Sequence, residues 1–170
     1  MRKIFIVVLH VVGFVEMKAQ ITPYSGAHIQ YNELNKFVGT WQWTSGADTL
    51  VIKLYKQEIY MKPPANFFFE EIVGWHKYVK NGIIQETFLQ YAGLPFDIGH
   101  ATILGGPKSE NELYGSFQDI TKNKLCDLYL IMINNNQTEL KWQLRNSMGI
   151  KPQGYQWSFS LPIDLTLIRQ

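Results

Sequence analysis

Phe37-Val38-Gly39-Thr40-Trp41-Gln42-Trp43 carries the strongest fold signal in this chain. A glycine and a tryptophan two residues apart, at the start of a β run, are a known way to close one end of a small antiparallel barrel. The sequence beyond Trp43 reads as β throughout: short runs rich in Val, Ile, Tyr, Phe, Trp and Thr, set between clusters of turn residues. Thr44-Ser45-Gly46-Ala47 separates the first strand from a second, in which Leu50, Ile52 and Leu54 alternate with Val51, Lys53 and Tyr55, the period of a half-buried strand. Residues 58–62 continue briefly until Pro63-Pro64, which cannot donate to a ladder, stops them. Residues 67–80 predict a long strand, with Gly74 marking a bulge or bend. Asn81-Gly82 then predicts a tight hairpin into residues 83–91, because both positions of such a turn need positive φ.

Further along, residues 112–120, 124–134 and 138–145 predict three more strands, the last two joined by a hairpin at 134–137. A final strand covers 163–169, and residues 155–160 are expected to pair before it. Residues 92–110, with four glycines and two prolines, and 146–154 predict irregular loops. Eight or more strands in about 130 residues, without a helix of useful length between them, predict an all-β, antiparallel up-and-down barrel. A sandwich is the alternative, and closure is favoured because it leaves no exposed edges.

The 170 residues suit one domain with a sizeable core. Aromatics at 14% and charged residues at 18% supply enough apolar surface to offset ordering entropy, which argues against disorder. Residues 1–19 read as an export signal: Arg2 and Lys3, an apolar run from Ile4 to Val15, then Ala19 at a plausible cleavage point. That run is shorter than the roughly 20 apolar residues a bilayer span takes. The expected organisation is a signal at 1–19, a polar lead at 20–36 ending in a short helical turn, and a barrel domain at 37–170.

The whole chain carries a formal charge of +2, from 16 basic and 14 acidic residues. Arg2, Lys3, Lys18 and Glu16 all lie in the signal, so its removal leaves a neutral domain. Neutrality removes any global electrostatic case for nucleic acid or an anionic membrane surface. Cys126 is the single cysteine, so no intrachain disulfide forms, and no cysteine directly follows the signal to carry a lipid. A disulfide-free exported domain leans towards a bacterial periplasmic or secreted protein.

Gly39-Thr40-Trp41 near the start and Leu165-Thr166-Leu167-Ile168-Arg169 at the end together resemble the lipocalin-like (calycin) barrels. In that family an arginine of the last strand packs over the tryptophan. The resemblance therefore implies that Gly39, Trp41 and Arg169 close the barrel through a cation–π contact worth about 0.5–2 kcal/mol. The Thr-Asp-Tyr segment of the family and the helix before its last strand are missing. More closely, the export signal, Phe37-Val38-Gly39-Thr40-Trp41, the run from Val73-Gly74-Trp75 to Asn81-Gly82 and the terminal Leu-Thr-Leu resemble a group of small exported bacterial proteins of unknown function.

Chemistry is thinly marked. The chain holds no Gly-x-Ser-x-Gly elbow, phosphate loop, His-Glu-x-x-His or Cys-x-x-Cys, so no catalytic residue, metal ligand or cofactor is assigned. His76, on the same face as Glu70, Ile72 and Tyr78, reads as part of a solvent face. Asp97 and His100 fit no metal-site spacing, and Cys126 reads as a small buried apolar residue. The aromatics offer more. Trp43, Phe67, Phe69, Glu71, Trp75, Phe88, Phe117 and Trp142 are candidates to line a ligand cavity, with an inward Glu71 or Lys77 as anchor, although the sequence does not say which strand face points in. An eight-stranded barrel is just wide enough to be filled by side chains or to hold one small ligand.

Two functions of different class fit these residues. The first is a non-catalytic carrier of a small hydrophobic or amphipathic molecule, admitted at the end opposite Trp41 and Arg169, under the loop at 92–110. The other is a filled barrel serving as a protein-interaction or envelope module, in contact through hairpin edges and Tyr91, Phe96 and Tyr155. A hydrolase or isomerase ranks third, because no base, orienter and oxyanion donor stand in recognisable order.

Overall fold

The computed structural model describes residues 23–170; the expected export signal at 1–19 lies outside the described residues. Among the described residues ten strands run in chain order: β1 (His28–Ile29), β2 (Gly39–Ser45), β3 (Asp48–Met61), β4 (Phe67–Lys80), β5 (Ile83–Thr87), β6 (Ile103–Ser109), β7 (Glu112–Asp119), β8 (Lys124–Met132), β9 (Glu139–Asn146) and β10 (Asp164–Arg169). Two 3₁₀ turns, Asn32–Phe37 and Leu89–Tyr91, are the helical elements of the described residues. β2, β3, β4, β6, β7, β8, β9 and β10 form a closed antiparallel barrel: β10 returns to β2, and β6 pairs with β4 at Ile72, Val73 and Gly74. β1 and β5 lie outside the ring, paired with the same β4 edge on either side of β6.

Cross-strand partners share a face, and the register of β3 with β4 assigns it. Leu50, Ile52 and Leu54 are opposite Tyr78, His76 and Gly74, and all of these point inward. Trp41, Phe117, Leu128, Leu130, Leu140, Trp142 and Leu167 meet them in a fully buried core. Burial of each such large apolar side chain contributes about 1.5–3 kcal/mol. The turn Asn32–Phe37 lies at one end of the barrel and drops Leu34 and Phe37 into that core.

Residues 58–62 extend the second strand as read, and β3 is continuous to Met61. Several local expectations change. Gly74 is not a bulge, since the β3–β4 register is unbroken from Met61↔Phe67 to Thr49↔Val79. It is instead a point of close approach, where a Cβ would lie 2.5 Å from Leu54 Cδ2 and 3.0 Å from Ile103 Cβ. The irregularity falls at Tyr78/Val79, against β5. The strand expected over 83–91 ends at Thr87 and turns into Leu89–Tyr91. The glycine-rich loop is shorter than read, because Ile103–Ser109 is a barrel strand. Gly105 faces Gly115 across β6 and β7, where backbone and Leu113 leave no room for a Cβ at either. Residues 155–160 form no strand; they belong to a long strap, 147–163, between β9 and β10.

Candidate functional site

The two ends of the barrel are closed by different chemistry. At the β2 start, the Arg169 guanidinium lies 4.2 Å from the centre of the Trp41 ring. It donates to Val38 O at 2.7 Å, to Gln137 O at 2.8 Å, and to Lys36 O. Trp41 Nε1 donates to Phe37 O at 2.9 Å. Gly39 has φ +138°, and a Cβ there would meet Arg169 Nη1 at 3.0 Å, so glycine is required beneath the guanidinium. Gly39, Trp41 and Arg169 are thus brought together as the resemblance implied.

The opposite end carries a layer of inward polar side chains beneath the strap. His76 is fully buried, Glu86 and Thr102 nearly so, and Asp119 is fully buried. His76 Nε2 lies 2.9 Å from Glu86 Oε2, and His76 Nδ1 lies 2.9 Å from the Thr102 hydroxyl. An ionised carboxylate only accepts, so Nε2 carries the proton in this pair. Glu86 Oε1 accepts from the Thr121 amide at 3.0 Å, from the Thr121 hydroxyl and from Ser160 Oγ at 3.0 Å. Ser160 Oγ also lies 2.6 Å from Asp119 Oδ1, and the Ser160 amide donates to Asp119 Oδ2 at 2.9 Å. One strap residue therefore bridges two carboxylates. A second fastening runs through Lys124, whose ammonium donates to Asn146 Oδ1 at 2.7 Å and to the strap carbonyl of Gln156 at 2.8 Å. That ammonium sits 3.8 Å from the centre of the Phe159 ring.

Burial raises the Glu86 pKa, but the hydrogen bonds from His76 and Thr121, with the attraction of His76, outweigh it and hold the carboxyl at about 2. Such a group is a stable anion and a weak proton acceptor at neutral pH. Cys126, inward on β8 among Leu128, Leu130 and Met132, has its thiol pushed up to about 11, chiefly by burial; its thiolate is suppressed. Among the described residues, every buried side-chain nitrogen and oxygen has a hydrogen-bond partner. The layer is complete in itself.

The expected cavity residues divide. Phe117 and Trp142 point inward and pack edge to face at 5.3 Å, filling the space a ligand would take. Trp43 is inward and half-buried against the same core. Phe67, Phe69, Glu71 and Trp75 lie on the outer face of β4, opposite in sense to Ile72, Gly74 and His76. Trp75 is nevertheless fully buried, because residues 92–102 fold over the barrel's outer wall and Gly99 O accepts from its indole. Gln57 anchors the same loop by donating to Leu94 O at 2.8 Å and accepting from the Phe96 amide at 2.9 Å. This loop lines the wall and covers no mouth. Glu71 is half-buried beside Gly106 and burial raises its pKa, but it points away from the interior. Phe88 flanks His76, ring centres 5.8 Å apart.

The reading of His76 as solvent-facing is overturned: alternation put it with Glu70, Ile72 and Tyr78, and that face is the inner one. The polar network around His76 was missed because its members Glu86, Thr102, Asp119, Thr121 and Ser160 come from four separate segments, and only the strand hairpin brings Glu86 near His76.

A family model described as a family of unknown function, DUF6705, matches residues 1–170. The chain belongs to DUF6705. Comparison with curated proteins found no match, and comparison with solved structures found none. The DUF6705 barrel, closed by eight antiparallel strands, is consistent with a lipocalin-like fold, and among the described residues no helix is long and apolar enough to cross a membrane.

Proposed function

We propose that this DUF6705 protein is an exported, non-catalytic interaction module built on a filled barrel. The carrying observation is the interior, where Trp41, Phe117, Trp142 and the leucines around them are buried against one another. A carrier needs a connected apolar space of about 300 Å³ or more inside its walls, and here those side chains take that place. The polar layer supports the same reading: its carboxylates are consumed in fastening Ser160, and no hydroxyl is paired with His76 except Thr102. Export rests on Arg2, Lys3, the apolar run to Val15 and Ala19.

Contact then falls to the outside. Met148, Ile150 and Trp157 on the strap, and Leu94, Phe96 and Ile98 on the outer loop, are exposed apolar side chains; Tyr91 and Tyr155, expected beside them, are half-buried. Native mass spectrometry of protein purified gently from its own host tests the proposal. Bare protein, unshifted by a lipid and metabolite panel, is expected. A stoichiometric small molecule, lost on organic extraction, would replace the module with a carrier.

A further inference from the structure

The long β3–β4 hairpin outruns its neighbours. β2 begins at Gly39, opposite Leu54, so β3 continues from Tyr55 to Met61 with no strand on that side among the described residues. Which backbone groups this leaves open is set by the register. Gly74 O accepts from the Thr102 amide, and the Phe68 amide donates to Ala27 O, so both residues turn their backbone away from β3. In an antiparallel ladder, directly opposite residues either bond each other or both face outward. Leu54 and Tyr60, opposite Gly74 and Phe68, therefore face the other edge, and the unbroken register gives Lys56 and Glu58 the same direction. Leu54 bonds Gly39; Lys56, Glu58 and Tyr60 have no backbone partner on that side among the described residues. A groove of about 500 Å³ runs along this edge, lined by Gln57, Ile59, Tyr60 and Lys62 on the strand and by Pro95 and Phe96 on the outer loop.

We propose that this edge is a strand-addition site: an extended segment of a different polypeptide pairs with Lys56, Glu58 and Tyr60 and sets an apolar side chain between Ile59 and Phe96. Main-chain hydrogen bonds supply affinity in this mode, and the groove supplies choice of side chain. A second copy of the chain fits poorly. The two-fold register that engages all three open residues pairs Lys56 with Tyr60 and sets Glu58 opposite its own copy, and directly opposed like charges destabilise a sheet. The inference rests on the interaction-module reading and names its surface and partner class.

The test is selection of binders from a random library of extended peptides displayed against the full chain, followed by amide hydrogen exchange of the complex. Slowed exchange at Lys56, Glu58 and Tyr60 is expected. Glu58→Pro removes one outward donor without touching the β4 ladder, and should weaken peptide binding about tenfold or more. Glu58→Ala, which loses only the side-chain contact to His28, should retain it, and β content by circular dichroism should match in both variants. Failure to select any peptide, protection confined to the strap, or equal binding by both variants overturns the edge site while leaving the module reading standing. A concentration-dependent dimer abolished by Glu58→Pro would give the edge to a second copy. Slow exchange of those amides in the free full chain, relieved by removing residues 1–22, would give it to the protein's own N-terminal segment. Either result overturns the proposal. A native small-molecule ligand removes the module reading itself, and is read out separately by mass.

Discussion

The two ends of the barrel solve one problem in two ways. At the Trp41 end, an apolar ring, a guanidinium over it and the inserted 3₁₀ turn close the core with groups that are nearly adjacent in sequence or terminal in it. At the other end, His76, Glu86, Thr102, Thr121, Asp119 and Ser160 close it with buried hydrogen bonds. The first closure is dominated by the packing of Trp41, Leu34 and Phe37. The second depends on complete pairing, because a buried polar group that loses its partner bears a full desolvation cost.

The largest expected effect lies at the packed end. Trp41→Ala should lower unfolding free energy by about 3–5 kcal/mol, as loss of a fully buried aromatic does, seen as a fall in the urea midpoint. A change below about 1 kcal/mol would mean that Leu34 and Phe37 close the end without it. At the polar end, Glu86→Ala should cost about 3 kcal/mol by leaving His76 Nε2 and the Thr121 amide and hydroxyl without their acceptor, and Glu86→Gln, which keeps an acceptor, should cost less. The carboxyl also makes this end acid-sensitive. Its pKa is depressed from 4.5 to about 2 in the folded protein, so its contribution is whole above about pH 4.5 and is lost as pH falls towards 2. That contribution is of order 3 kcal/mol, and Glu86→Gln should flatten the urea midpoint across the same window.

Smaller changes sharpen the contrast. Ser160→Ala should cost about 1–2 kcal/mol and speed amide exchange through the strap at 147–163, leaving the Trp41 end untouched. Equal acceleration at both ends would show that the strap is not fastened locally. Arg169→Lys keeps the charge but loses the planar fork, and should cost only about 0.5–1 kcal/mol in the same urea titration.

The packed end was legible because its parts are local signals: Gly39 and Trp41 share one strand, and Arg169 occupies the matching place in the last. Strand positions were legible for a similar reason, since alternation and Asn81-Gly82 act over a few residues. Face assignment was not. Trp75 on the outer face is buried beneath residues 92–102 and Val73 beside it is buried too, so the middle of β4 is buried on both sides and its alternation carries no direction. Gly105 and Gly106 misled in another way, reading as loop residues although both lie in β6, where Gly105 is a glycine of close approach. The polar layer had no signature at all, since its members join only when the barrel closes.

The central claim is that the barrel is full and that function lies on its outside. The most direct measurement follows the indole signals of Trp41, Trp142 and Trp157 by ¹H–¹⁵N NMR while amphipathic probes of different chain length are added. The expected result is unmoved Trp41 and Trp142 signals, with any response limited to exposed Trp157. A saturable shift at Trp142 would contradict the account, because it would place a ligand inside the wall that Phe117 and Trp142 now fill.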